Sequence, residues 1–333
     1  MRSWGLLVAL LLGCLVVLGT AGGAAAGAEK FTFAHFVPPN EPGAEAGLWI
    51  EKDLNQNSGG LVKAKYYHSM QMGSTIELVK KVRMGTLKAG VLTGNYAPDL
   101  NPKFGIGTLA YCMDSYAKWD AFLRHAPLRD ELFNCLSDKG LLVLDICYFG
   151  LYGLTTTQPV NTLEDLKSMK MRTTQARYPL AFWKALGVNP VTLAWGDVLP
   201  ALKQGVIEGT DQTRNVARLR LADVCKYFTE TNHMVGLFIL VVNKRWYEKL
   251  DPKVRKIITD SIHRNYAKAR AASEKLTREA PDALKAKGVK VLQLSPEQVK
   301  KFKGSQKVVW KKFAPEIGQD WLDRVNKFAE KFE

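Results

Sequence analysis

The 333-residue sequence predicts an α/β protein of two similarly built lobes, and three observations carry that expectation. Lys170–Asn215 reads strand, helix, strand, helix, strand, the alternation expected of a sheet covered by helices. ELVKKVRMGTLKAG (Glu77–Gly90) aligns without gaps on DVLPALKQGVIEGT (Asp197–Thr210): an acid, an apolar pair, a helix, a glycine stop and a short apolar strand occur twice. No low-complexity linker interrupts the chain, so two lobes would require it to cross between them more than once.

The elements follow in order. Lys30–Phe36 alternates like a strand and ends in Val37-Pro-Pro-Asn40, which cannot continue as helix. Ala44–Gln56 carries apolar residues at helical spacing, and Leu61–Tyr67 is the next strand. Ser74-Thr-Ile-Glu77 is a capping box opening a helix that runs to Met84 and stops at Gly85, followed by a strand over Thr86–Leu92. Cys112–Lys139 is mainly helical, Leu141–Tyr148 is a β-prone run leading into Gly150, and Thr162-Leu-Glu-Asp165 starts a short helix. After the Lys170–Asn215 block, Thr229–Val242 is a strand region, and Asp251-Pro252 opens a long basic helix that Pro281 is expected to break or bend. Val289–Leu294 is a strand and Ser295-Pro296-Glu297 starts the last helices.

The first residues read differently. Arg2, an apolar run over Leu6–Leu18 and Ala26-Gly27-Ala28 form a cleavable leader, predicting a mature chain from near Glu29 and an extracytoplasmic location. Leu11-Leu12-Gly13-Cys14 offers a rival, lipid-anchoring signal, but apolar residues continue past Cys14. Cys112, Cys135, Cys147 and Cys225 allow three full disulfide pairings that spacing cannot rank, and buried free thiols are the expectation.

Of the net charge of +15, +11 lies between Asn243 and Glu333, where 23 Lys and Arg interleave with 12 Asp and Glu in helical sequence. With no zinc-finger, RNP or basic-zipper pattern, this is a solvated helical face that attracts small anions, and no nucleic-acid partner is expected. Gly105-Ile-Gly-Thr-Leu-Ala110 matches G-x-G-x-x-A but lacks the preceding strand and following helix that dinucleotide binding requires; a loop entering the lobe interface is expected, and no cofactor. There is no G-x-S-x-G, H-E-x-x-H or P-loop, the five histidines are scattered, and no metal site or catalytic residue is expected. Glu208 and Asp211, on a strand end and turn, are placed to orient Arg172 or bridge water rather than to transfer protons. Arg172 itself is a lone arginine at a strand end before a polar loop, where its planar fork matches the two oxygens of a carboxylate.

DLKSMKMR (Asp165–Arg172), FWKALGVNPV (Phe182–Val191), WGDVLPALKQGVIEGTDQ (Trp195–Gln212), TNHMVGLFILVVNKRWYEKLDP (Thr231–Pro252) and QMGSTIELVKKVRMGTL (Gln71–Leu87) together resemble the extracytoplasmic substrate-binding proteins of TRAP transporters, DctP type. The resemblance implies a two-lobe periplasmic binding protein fold, class II-like. Each lobe would be a mixed sheet flanked by helices, with a long interlobe helix. The lobes would comprise 29–149 with about 239–279, and 150–238 with about 280–333. It implies a monomeric periplasmic receptor that closes on an organic acid and delivers it to a membrane permease; a signalling partner, or an enzyme acting on a small acid, are the alternatives. Arg172 would pair with the carboxylate, Trp195 would cover the ligand, and Gln212 stands where the family usually has Asn. Tyr152 stands where many members have a second arginine, which favours a monocarboxylate with an uncharged body. Tyr178, Thr93, Asn95 and His35 complete the expected ligand contacts.

Overall fold

The structure is a computed structural model that describes residues 27–332; the expected leader up to residue 26, with Cys14, lies outside the described residues. The strands are β1 (Glu29–Ala34), β2 (Val62–Tyr67), β3 (Ala89–Thr93), β4 (Leu141–Thr156), β5 (Met171–Thr173), β6 (Val191–Thr192), β7 (Gly209–Thr213), β8 (Tyr227–Glu230), β9 (Val235–Asn243) and β10 (Lys290–Gln293). The α-helices are α1 (Pro42–Asn57), α2 (Thr75–Arg83), α3 (Ala97–Leu100), α4 (Tyr116–Arg124), α5 (Ala126–Asn134), α6 (Leu163–Lys167), α7 (Arg177–Ala185), α8 (Trp195–Lys203), α9 (Arg214–Val216), α10 (Lys244–Lys249), α11 (Pro252–Ala286), α12 (Pro296–Ile317) and α13 (Gln319–Ala329).

Capping chemistry explains where several of these begin. Ser74 and Glu77 close a reciprocal capping box on α2, and Thr162 and Asp165 do the same on α6. Asp251 accepts from the N–H groups of Lys253 and Val254 at the start of α11.

Two mixed sheets result. In the first, β2, β1 and β3 run parallel in that spatial order, and β9 joins β3 antiparallel. In the second, β6, β5 and β7 run parallel, and β4 joins β7 antiparallel. The units β1-α1-β2-α2-β3 and β5-α7-β6-α8-β7 therefore share one topology, and the sequence repeat falls on α2-β3 and α8-β7. Gly85 and Gly205 follow the two helices with φ of 79° and 69°, the left-handed conformation of a helix stop.

β4 belongs to both sheets. Residues 141–151 pair with β9, and residues 152–156 pair with β7 on one side and, over 154–156, with β8 on the other. The expected strand over Leu141–Tyr148 thus continues eight residues further, through a register shift at Tyr148/Gly150 where Gly150 takes φ 130°. That bulge re-aims the strand from one sheet into the next. The expected strand region over Thr229–Val242 divides at Asn232, φ 45°, into β8 of the second sheet and β9 of the first. Because β9 is covered on both faces, its side chains alternate between two cores: Leu237, Ile239 and Val241 enter one, Phe238, Leu240 and Val242 the other.

α11 lies against α1 and β4 and reaches α9 and β10, so it spans both halves. It runs through Pro281 as one helix, so of the expected break or bend the break does not occur. Pro281 forfeits one backbone donor, but Ala280 and Leu284 are buried on either side, and Leu284 packs with Phe228 and Val289, which holds the last turn in place. The G-x-G-x-x-A stretch is not an open loop: Pro102–Gly107 forms a buried 3-10 helix, with Gly105 against Ile317 and Tyr178. α13, expected with 150–238, instead packs back on residues 103–131: Trp321 Nε1 donates to Lys103 O at 3.1 Å, and Arg324 grips Glu131. All four cysteines from Cys112 onward are free thiols. No helix among the described residues is long and apolar enough to cross a membrane.

Candidate ligand-binding cleft

A cavity of about 200 Å3 opens between the two sheets, lined from one side by residues of β3, α2 and the loop after β1, and from the other by β4, β5, β7 and the start of α8. Arg172 lies at the centre of β5, only 5% exposed. Its Nε and Nη2 donate to the carbonyl of Leu193 at 3.1 and 2.6 Å, and Nη1 has no hydrogen-bond partner among the described residues. The local fold dictates this grip: β6 pairs beside Arg172 through Val191, and Leu193 follows in the turn that starts α8 with Trp195. One turn therefore fixes the guanidinium and aims the indole into the same cavity.

Burial lowers the Arg172 pKa, and the neighbouring Asp211 carboxylate opposes that shift. Asp211 is fully buried and its pKa is raised by desolvation, an effect that Arg172 and hydrogen bonds from Trp183 Nε1 (2.9 Å) and Thr173 Oγ1 (3.1 Å) counter. An arginine stays charged in such a site, and Asp211 balances that charge through space rather than by an ion-pair contact. Leu193 O rather than either acid orients Arg172, and Glu208 accepts from the Lys170 N–H at 2.8 Å.

Two hydrogen bonds tie the walls together at the back of the cleft: Asn95 Nδ2 donates to Tyr152 Oη at 2.9 Å, and Thr174 Oγ1 donates to Tyr96 Oη at 3.1 Å. Gln212 spends Oε1 on the Thr213 N–H at 2.8 Å, which leaves its amide N–H2 without a partner among the described residues. Thr93 Oγ1 is buried and unpartnered. Phe36, Phe238, Phe149 and Tyr152 form a continuous aromatic wall, with successive ring centroids 6.0, 4.4 and 6.0 Å apart.

Six of the eight expected contacts, Arg172, Trp195, Gln212, Tyr152, Thr93 and Asn95, thus converge on one cavity. His35 and Tyr178 do not line it. His35 lies behind the wall, edge-on to Phe238 at 4.4 Å, and its Nδ1 accepts from the Val37 N–H. Tyr178 faces away, stacked on Phe313 of α12 at 4.0 Å. Both are consumed by packing at element junctions, as buried aromatic groups commonly are.

Sequence reasoning missed a further contact between the walls. Glu41, 3% exposed in the cavity lining before α1, pairs with Arg220 from beyond β7 at 3.2 Å, and Arg220 Nη2 reaches Asn40 Oδ1 at 3.1 Å. Burial raises the Glu41 pKa and Arg220 opposes the rise. With the two residues 179 positions apart, nothing local marks the pair. Arg220→Ala is expected to lower stability by roughly 2 kcal/mol, because it strands a buried carboxylate. Adding Glu41→Gln should recover part of that loss in urea unfolding, and equal stability of wild type and single variant would show that the pair contributes nothing.

This arrangement, a buried arginine with open N–H groups in a cleft between two sheets, accords with the outcome of comparison with known proteins. Residues 33–316 match the family described as Bacterial extracellular solute-binding protein, family 7 (DctP). The chain belongs to that family. Among relatives of this family 7 protein, the C4-dicarboxylate-binding periplasmic protein DctP of Vibrio cholerae is 22% identical over 88% of each chain. The 2,3-diketo-L-gulonate-binding periplasmic protein YiaO of Escherichia coli is 25% identical over 72% of this chain and 73% of its own. The sugar acid binding protein of Advenella mimigardefordensis in complex with galactonate superposes with a TM-score of 0.86 at 22% identity, covering 92% of this chain and 99% of that one. A TRAP periplasmic solute binding protein from Shewanella oneidensis with bound succinate gives 0.84 at 20% identity, covering 91% and 99%. These likenesses establish the fold, a mixed α/β architecture with a long helix, and the relatives are binding proteins rather than enzymes.

Proposed function

We propose that this family 7 protein is the extracytoplasmic receptor of a TRAP-type transporter, working in the periplasm as a monomer, that binds an organic acid in its cleft and presents it to the membrane permease. The observation that carries this reading is Arg172: a buried guanidinium, held by one carbonyl, with N–H groups left over in a cavity between two sheets. Relatives named for C4-dicarboxylates and diketogulonate support it. In this reading Arg172 fixes the carboxylate, Trp195 covers it, and Gln212, Thr93 and the Tyr152–Asn95 pair meet the remaining polar atoms. The bodies that close on the ligand are 29–149 with about 239–279, and 150–238 with the chain from about 280, α13 excepted. Closure removes the ligand from solvent and joins two surfaces into one face for the permease.

The direct test is mass spectrometry of small molecules released from the purified protein, followed by thermal-shift screening against mono- and dicarboxylates. An organic acid in near-equimolar amount, with a matching thermal shift, is the expected result. A protein that carries no acid and is shifted by none of the panel would remove this reading.

A further inference from the structure

The cleft is asymmetric in chemistry. Among the described residues Arg172 is the one cation in its lining, and the two other charged lining residues, Glu41 and Asp211, are acids. A second carboxylate on the ligand would meet no free second cation there, because Arg220 is committed to Glu41, and it would be desolvated without a partner.

Part of the hydrogen-bonding capacity is committed as well. Tyr152 Oη accepts from Asn95 and Tyr96 Oη from Thr174, each keeping its own O–H to donate, and Glu41 Oε1 is taken by Arg220. Arg172 Nη1, the Gln212 amide N–H2, Thr93 Oγ1, Asn95 Oδ1 and the Gln175 side chain are left without hydrogen-bond partners among the described residues. That set meets a carboxylate and a few further polar atoms, whereas hydroxyls of a sugar acid that fell against the aromatic wall would be buried unpaired.

Opposite these polar atoms stands the aromatic wall of Phe36, Phe238 and Phe149. Across the mouth, Ile76 and Met70 line the same cavity while 46% and 51% exposed. Apolar side chains left open at a concave site are surface that a ligand's apolar body would cover.

We infer that the ligand is an amphiphilic monocarboxylate, its carboxylate on Arg172 and a branched-aliphatic or aryl body against Phe36, Phe149, Phe238 and Ile76. The inference rests on the reading of Arg172 as carboxylate anchor and goes beyond it by excluding dicarboxylates and sugar acids as preferred ligands. Burying such a body contributes enough for a preference of about tenfold to a hundredfold over a carboxylate without one.

Titration calorimetry with phenylacetate, 4-methylpentanoate, succinate and galactonate tests it on the wild-type protein, on Arg172→Ala and on Ile76→Arg. Ile76 is on the exposed first turn of α2, so its replacement spares the core. Expected are binding of at least one of the two monocarboxylates at least about tenfold tighter than succinate and galactonate, loss of that binding in Arg172→Ala, and a shift of preference toward succinate in Ile76→Arg. Equal or tighter binding of succinate or galactonate, abolished by Arg172→Ala, would overturn the apolar-body inference and leave the carboxylate reading standing. Monocarboxylate binding that survives Arg172→Ala would overturn the carboxylate reading itself. Failure of both monocarboxylates to bind overturns the inference as well.

Discussion

Arg172→Ala is expected to abolish ligand binding, raising Kd by a factor corresponding to about 2–5 kcal/mol, the usual cost of removing one partner from a buried charge pair. The geometry makes the effect large for two reasons. The guanidinium is already desolvated and pinned by Leu193 O, so a ligand carboxylate meets a pre-aimed cation and little side-chain entropy is lost on binding. Its removal also leaves Asp211 without the cation that opposes its raised pKa, so the empty site turns from nearly neutral to anionic or takes up a proton. Arg172→Lys should restore part of the binding, because a point charge remains while the planar fork is lost. Calorimetry with whichever acid co-purifies reads both variants; an unchanged Kd in Arg172→Ala would sink the assignment.

The second large effect is an acid-side loss of stability. His35 and His233 are both held at a pKa of about 3 by burial, against an ordinary value of 6.5. The unfolded chain takes up both protons as pH falls through 6.5, whereas the folded chain resists until about pH 3. Their stabilising contribution is therefore complete above pH 6.5 and is lost progressively as pH drops toward 3. Each group contributes a slope of up to about 1.4 kcal/mol per pH unit. Two such groups over two units amount to roughly 5 kcal/mol, which is comparable with the whole stability of many domains. Glu131, drawn down to about 2 by Arg324 and Lys103, adds to the loss at still lower pH. Glu41 and Asp211, whose pKa values are raised, act in the opposite sense and offset part of it. Urea unfolding at a series of pH values between 7.5 and 4.5 measures the slope. His233→Gln should flatten it by about half; an acid limb parallel to that of wild type would exclude His233 as a source.

Both histidines bear on the cleft from behind. His35 is edge-on to Phe238, and the His233 ring lies 5.7 Å from that of Tyr152 while stacking on Phe182. Neither role is visible in sequence, where a lone histidine at a strand end looks the same whether it faces a ligand or a phenylalanine.

What sequence did show has a local cause. Capping boxes at Ser74 and Thr162, the glycines after α2 and α8, the alternating run of β1 and the continuous apolar run of β9 are decided by residues a few positions apart. Arg172 was legible as a lone arginine in a short strand before a polar loop, and Trp195 and Gln212 through the family resemblance; β5, the turn into α8 and β7 lie side by side and bring the three to one cavity. The contact of Glu41 with Arg220, the aromatic wall assembled from the loop after β1, β4 and β9, and the return of α13 to Glu131 depend on how distant elements meet. Pro281 is the reverse case: a strong local rule yielded to the packing of Leu284.

β4 gives one end to each sheet, with the bulge at Gly150 between them. Neither wall of the cleft can then be isolated as a fragment: a cut on either side of Gly150 strips a bordering strand from one sheet or the other. The exposed edge would be the apolar β9 or the polar but buried β7, and the unpaired backbone N–H and C=O groups of such an edge pair with whatever chain they meet next.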